Sequence, residues 1–205
     1  MASPQVELAL LFRHGQSLLN VDHVINGDPA LDCGLSALGF EEADSLAHQI
    51  AGVAIDLCVT SEFLRARQTA EHALAGRDVP RLVDPDLDDI RIGELEGLVI
   101  DDYETWKSAH TRDDPFPGGE SLNDAARRYA DAFARVLARS ERTVVVACHE
   151  IPVRYAVNAA ALSDRLDWPL HRVANATPYL FDAAGLRRAV DQIRRLAATE
   201  HVEQP

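Results

Sequence analysis

Three short apolar runs constrain this chain more than anything else in it: Val6 to Phe12, Ala54 to Thr60 and Thr143 to Cys148. Each lacks a polar face, as a strand does when helices cover both sides of its sheet. The last, rich in valine, is the plainest buried strand. Asp78 to Pro85 is a short, ambiguous extended segment and Thr177 to Phe181 a final strand. Helical patterns fall between the runs. Strand and helix in alternation predict an α/β fold, a three-layer α/β/α arrangement around a mostly parallel sheet.

The helices are marked at their starts. Ser36 reads as an N-cap, with Leu35, Leu38, Ala43, Leu46, Ala47 and Ile50 following at helical spacing. Phe63 to Ala75 is a second helix and Ile100 to His110 a short one. Ser121 and Asp124 form a capping box before Leu122, Ala125, Ala126, Tyr129, Phe133, Val136 and Leu137. The opposite face of that helix, with Arg127, Arg128, Asp131, Arg135 and Arg139, reads as solvated. Helix is expected again over Val153 to Leu162 after Pro152, and over Leu186 to Ala197. Gly15 to Gly34 is a long polar connection, a kind that in a compact domain usually carries function. Asp86 to Gly97 reads as irregular and Thr111 to Gly119 as loop. Residues 1–4 and the tail from Thr199 read as loose ends. At 205 residues with no linker or repeat, one domain is expected over 1–205.

Composition narrows the function. A net charge of −13 argues against a nucleic-acid or anionic-membrane surface, yet leaves room for a locally positive pocket. Lys107 is the only lysine, so nearly all positive charge is arginine, whose planar fork suits phosphate. Cys33, Cys58 and Cys148 are scattered, without the spacing of a disulfide framework or zinc site, and the latter two lie in apolar runs. No stretch reads as membrane-spanning, and no leader pattern precedes the first run, so the cytoplasm is the expected compartment.

The chemistry gathers at strand ends. The first run stops on Arg13-His14-Gly15, the second leads through Ser61 to Arg65, and the third stops on His149. Parallel strands present these ends on one edge, where open α/β sheets bind ligands. Two arginines and two histidines around one point suit a tetrahedral dianion. The same arginines would repel a metal cation.

At this point the chain resembles the histidine phosphatase superfamily, in the branch that holds cofactor-dependent phosphoglycerate mutases and small-molecule phosphatases. The resemblance covers roughly residues 6–182 and rests on five segments in order: Leu11-Phe12-Arg13-His14-Gly15-Gln16-Ser17 with Asn20, Ser61 through Ala70, Leu87 through Gly97, Gly118-Gly119-Glu120-Ser121, and Cys148-His149. It implies a phosphoglycerate mutase-like fold, with His14 as nucleophile and Arg13, Arg65 and His149 holding the phosphoryl group. Asn20 would add a hydrogen bond, and Gly27 and Glu150 are further substrate-binding candidates. Asp89 matches the proton donor's position, where the family usually has glutamate. Asp88 beside it competes, and Glu94 is the next candidate. No metal or organic cofactor is implied.

Glu150 departs from the family, which commonly has a small residue there. It either faces out, as alternate strand-end residues do, or meets the non-phosphate part of a substrate. Residues 98–120 would form a small cap. In it Tyr103, Trp106 and Phe116 either grip a leaving group or simply pack.

The expected activity is hydrolysis of a small-molecule phosphate ester through a phosphohistidine. A phosphoglycerate mutase is the alternative, but over 98–118 only Lys107 and Arg112 stand against five acidic residues. A non-catalytic phosphate-binding module on the same fold is the other rival. A homodimer is left open.

Overall fold

A computed structural model describes residues 6–199. Its centre is a five-stranded sheet built from β1 (Leu8–Arg13), β2 (Leu57–Thr60), β3 (Arg81–Val83), β4 (Thr143–Cys148) and β5 (Tyr179–Asp182). The spatial order is β3-β2-β4-β1-β5. The first four strands are parallel, while β5 runs antiparallel on the edge beside β1. The three apolar runs therefore lie side by side at the middle of the sheet. The second strand is shorter than its apolar run, because pairing with β4 begins at Leu57.

Strand alternation divides the core in two. Leu10, Phe12, Cys58, Val145 and Ala147 face α2 (Ala37–Gln49) and α3 (Leu64–Ala73), where they meet Leu46, Ile50, Ala70 and Ala73. Ala9, Leu11, Leu57, Val59, Val144 and Val146 face the other way. They meet α5 (Leu122–Leu137), α6 (Glu150–Ala160) and α7 (Ala183–Ala197) through Tyr129, Phe133, Tyr155, Leu186 and Ile193. The result is three layers, as the alternation predicts. Helices start where their signals stand: Ser36 caps α2 through Gly39 N–H, and Ser121 and Asp124 close the capping box of α5.

Several expectations need correction. The Gly15–Gly34 connection is not bare loop; it contains α1 (Leu18–Val21), capped by Ser17 and Asn20, and a 3-10 turn at Pro29–Leu31. Asp86–Gly97 is ordered by 3-10 turns at Pro85–Leu87 and Gly93–Leu95. Helix α6 begins at Glu150, three residues before Val153, because proline is tolerated in a first turn where its missing N–H has no partner to lose. Leu162 lies beyond that helix, at φ 58°. Arg128 is not solvated: its side chain is 8% exposed and paired with Glu120. Leu38 is exposed, one residue before Gly39 and so turned off the buried stripe of Gly39, Ala43 and Leu46 on α2. The expected loose ends, residues 1–4 and the tail from Thr199, lie outside the described residues except for Thr199 itself, whose Oγ1 donates to Arg195 O at 2.9 Å.

The helix α4 (Ile100–Ser108) stands apart from the three layers, beside the ends of the parallel strands. Among the described residues, no helix is long and apolar enough to cross a membrane.

Candidate active site

Register brings the site together. Arg13 pairs with Cys148 and Thr60 with Ala147, so β1, β2 and β4 end level with one another. The residues just past those ends are His14, Ser61 and His149. Arg65 joins them from the first turn of α3. The imidazoles of His14 and His149 lie edge to face with centroids 5.3 Å apart, both buried.

Arg65 organises this cluster. Its Nε donates to His14 Nε2 at 3.1 Å, and its Nη2 donates to His149 Nδ1 at 3.3 Å. A guanidinium can only donate, so both ring nitrogens are acceptors here. That assigns the tautomers. His14 carries its proton on Nδ1 and donates to Gly15 O at 2.6 Å; His149 carries its proton on Nε2 and donates to Ser61 Oγ at 2.9 Å. Burial first, and the Arg65 charge second, hold both imidazoles well below the usual histidine pKa. Two neutral rings with lone pairs turned toward one arginine are the outcome.

Arg65 is itself fixed by residues that no pattern in the sequence singles out. Its Nη1 donates to Asn26 Oδ1 at 2.6 Å and to Asp32 Oδ1 at 3.2 Å, while Asp32 Oδ2 accepts the Arg65 main-chain N–H at 2.8 Å. The Asp32 carboxylate thereby caps α3 as well, a helix whose own N-cap, Phe63, makes no side-chain cap. Thr69 Oγ1 accepts the Gly15 N–H and donates to Arg65 O, tying the first strand end to α3. Asn26 and Asp32 sit in the long polar connection, with only its length to flag them. Ser61 and Thr69 fall inside the segment that carries the family resemblance.

Of the two adjacent carboxylates, Asp89 faces the cluster. Its Oδ2 is 3.5 Å from Arg65 Nη2 and 3.4 Å from His149 Nδ1, and burial raises its pKa. Asp88 turns away and accepts the Glu62 N–H at 2.7 Å. Glu94 does not line the pocket.

The other candidates divide. Arg13 lines the pocket, with Nη1 donating to Glu150 Oε2 at 2.7 Å and to Val173 O at 3.1 Å, and its Nε is buried without a partner. Glu150 is the first residue of α6, not a strand residue, and it lines the pocket instead of facing out. Asn20 lines the pocket too, but its Oδ1 accepts the Ser17 N–H, which leaves Nδ2 for a ligand. Gly27 forms part of the wall, yet its N–H is already given to Glu96. A Cβ at Gly27 would stand 2.0 Å from Ile90 O, so the close approach of these two segments requires glycine. Tyr103 lines the pocket, while Phe116 and Trp106 pack behind it, with Tyr103 and Phe116 stacked at 5.6 Å. Arg154, which sequence reasoning missed, also lines the pocket; its i,i+4 spacing from Glu150 was the available signal.

The cavity these residues enclose holds about 180 Å³. Among the described residues, no group of three or more His, Cys, Asp and Glu is arranged to hold a metal ion. The fold and site define an α/β enzyme whose strand-end pocket sets two neutral imidazoles and two guanidiniums around a space for one anion.

Comparison with known proteins names that class. Residues 9–196 match the model of the histidine phosphatase superfamily, branch 1, and the chain belongs to that family. It is an enzyme of the histidine phosphatase type. The 2,3-bisphosphoglycerate-dependent phosphoglycerate mutase of Methylobacterium sp. (strain 4-46) is 33% identical over 171 residues, 73% of this chain and 78% of the relative. A mycobacterial glucosyl-3-phosphoglycerate phosphatase, solved with vanadate (VO3), superposes with TM-score 0.70 at 28% identity, over 85% of this chain and 92% of that one. The alpha-ribazole phosphatase of Shigella flexneri shares the fold, with TM-score 0.74 at 24% identity, over 85% and 90% of the two chains.

Proposed function

We propose that this protein hydrolyses the phosphomonoester of a small metabolite through a phosphohistidine on His14. The observation that carries this reading is the double hydrogen bond of Arg65 to His14 Nε2 and His149 Nδ1, which leaves an unprotonated nitrogen on a buried ring beside an anion site. A phosphoryl oxygen arriving at Arg65 takes over the guanidinium donors and frees the His14 lone pair.

The bonds made and broken balance. His14 Nε2 forms a bond to phosphorus as the bond to the leaving oxygen breaks, and that oxygen takes the Asp89 proton. The proton on His14 Nδ1 stays with Gly15 O as its acceptor. Arg13 and Arg65 donate to the phosphoryl oxygens and stabilise the charge spread over them, and His149, whose Nδ1 lone pair accepts from Arg65, keeps that guanidinium aimed. Water then attacks phosphorus with Asp89 as base, and inorganic phosphate and free imidazole are restored.

Hydrolysis is favoured over the mutase reaction by where the cations go. Arg112 turns from the pocket to Asp167, Asn123 and Tyr155, so of the two cations in the 98–118 segment only Lys107 lines the pocket. A mutase must hold a second acidic group of its substrate there.

The test is turnover of p-nitrophenyl phosphate by wild type and His14→Ala, with acid quench after a radiolabelled ester. Expected are wild-type turnover, an acid-labile label on the protein, and loss of both in His14→Ala. Turnover that survives His14→Ala would defeat the reading, and no turnover by wild type would leave a phosphate-binding module.

A further inference from the structure

Beyond the phosphoryl seat, the pocket wall carries charge that is already cancelled. Lys107 Nζ lies 3.1 Å from Glu104, and Arg154 lies 3.4 Å from Glu150 and 3.0 Å from Asp167. Arg13 Nη1 is bound to Glu150 as well. The Lys107–Glu104 pair sits at the rim, with the glutamate 56% exposed, and solvent screens it. Glu150 is deeper. Its side chain is 26% exposed and lies between guanidiniums that are 17% and 13% exposed. Between these polar groups the wall is apolar, from Ile25, Ile92, Ile100, Tyr103 and Ile151.

A second anionic group on the substrate would find no unpaired cation on this wall. To be held, it would have to pull Arg154 or Arg13 off Glu150 and then sit beside the stranded carboxylate, in a site sheltered enough for like charges to cost. An uncharged hydroxylated group meets the opposite situation. Its O–H groups donate to the free lone pairs of Glu150, its oxygens accept from Arg154 and Lys107, and its C–H faces lie on the isoleucines.

We infer that the pocket selects phosphate esters of uncharged polyols, and that Glu150 is the residue that excludes substrates with a carboxylate or second phosphate next to the ester. This rests on the phosphatase reading above and narrows it, setting the chain's substrate class apart from that of its phosphoglycerate-handling relatives.

The test uses two substrates with one skeleton: glycerol 3-phosphate and 3-phosphoglycerate, which differ by a hydroxymethyl against a carboxylate. Wild type should prefer the polyol ester by about tenfold or more in kcat/KM, given that like-charge juxtaposition in an interface costs several kcal/mol. Glu150→Gln should shrink that preference by about tenfold, chiefly through a lower KM for 3-phosphoglycerate, as expected when one repulsive charge is removed. Glu150→Asp, which keeps the charge, should preserve the preference. A wild-type preference for 3-phosphoglycerate, or a ratio unmoved in Glu150→Gln, overturns the inference while p-nitrophenyl phosphate turnover leaves the phosphatase reading standing. Absence of that turnover in wild type overturns both.

Discussion

The guanidinium of Arg128 holds the main chain of Asp89. Its Nη2 donates to Asp89 O at 3.2 Å, and its Nη1 donates to Asp88 O at 2.9 Å and Asp86 O at 3.0 Å. The same side chain pairs with Glu120, which accepts the Arg91 N–H at 3.0 Å. Helix α5 thus fixes the segment that presents the carboxylate of Asp89, without Arg128 touching the pocket.

Arg128 should therefore act as a positioning residue. Arg128→Ala should lower stability by about 3 kcal/mol, toward the low end for breaking a buried pair, because it strands the mostly buried Glu120 carboxylate. Arg128→Lys keeps the charge but cannot reach three carbonyls with one ammonium. It should reduce turnover of an alkyl phosphate more than that of p-nitrophenyl phosphate, whose leaving group needs little protonation. Steady-state kinetics with both substrates checks this. An equal loss on both in Arg128→Lys would mean that the arginine only stabilises the fold.

Asp89 itself should show the same selectivity more sharply. Asp89→Asn should lower alkyl phosphate turnover by about 10²–10⁴-fold, the range for removing a general acid, and largely spare the aryl ester. Asp88→Asn should leave both near wild type, since Asp88 turns to the Glu62 N–H and an amide oxygen can still accept it. Equal loss in the two variants would break the assignment.

Three perturbed groups set the pH profile. His14 and His149 are pushed below 6.5, so both rings stay neutral, and His14 nucleophilic, further into acid than ordinary histidines. Asp89 is raised above 3.8, so it keeps its proton further toward neutrality. Activity on an alkyl ester should rise as pH falls toward the Asp89 pKa and then drop only below the ordinary histidine range. The optimum is thus on the acidic side. Asp89→Asn, which cannot ionise, should lose the alkaline limb, measured as kcat/KM against pH on one substrate so that the ester's own titration cancels.

What the chain discloses before folding is uneven, and the reason is locality. His14 and His149 stand at the ends of apolar runs, so strand identity alone puts them on one edge, and the capping box of Ser121 and Asp124 is a local signal that survives in the structure. Arg65 is reached through its segment. Its anchors Asn26 and Asp32 are not, because they lie in a polar loop whose path is set by contacts 33 and 39 residues away. Arg128 shows the limit of periodicity. It falls on the charged face of α5, but that face is partly covered by the Pro85–Leu87 turn and Glu120, which no helical wheel contains. Glu150 escapes a strand-end reading for one structural reason: the chain turns helical directly after His149.

Asp32 should matter to binding more than to the chemical step. Its carboxylate accepts from both the main chain and the side chain of Arg65 and is fully buried. Asp32→Asn keeps one acceptor and loses the charge, so Arg65 should be less firmly aimed. KM for p-nitrophenyl phosphate and the inhibition constant for inorganic phosphate should rise together by about tenfold, in line with loss of a charge-assisted hydrogen bond of about 1.5 kcal/mol. A kcat loss with phosphate inhibition unchanged would place the role of Asp32 elsewhere.

Asp88 carries a stability cost that pH should reveal. Burial lifts its pKa from 3.8 to about 7, against the Glu62 N–H bond that lowers it. Between those values the folded chain binds more protons at this site than the unfolded chain does, so folding stability falls as pH rises through that window. Above about 7 the charged, buried carboxylate persists at full cost. Asp88→Asn keeps the acceptor for Glu62 N–H and cannot ionise. It should match wild type near pH 4 and exceed it by roughly 2–4 kcal/mol at pH 8, since each tenfold change in proton affinity between the folded and unfolded chain is worth about 1.4 kcal/mol. Urea unfolding at both pH values measures the difference. A variant that is less stable than wild type at pH 8 would show that the Asp88 charge is held by Arg128 instead of merely tolerated beside it.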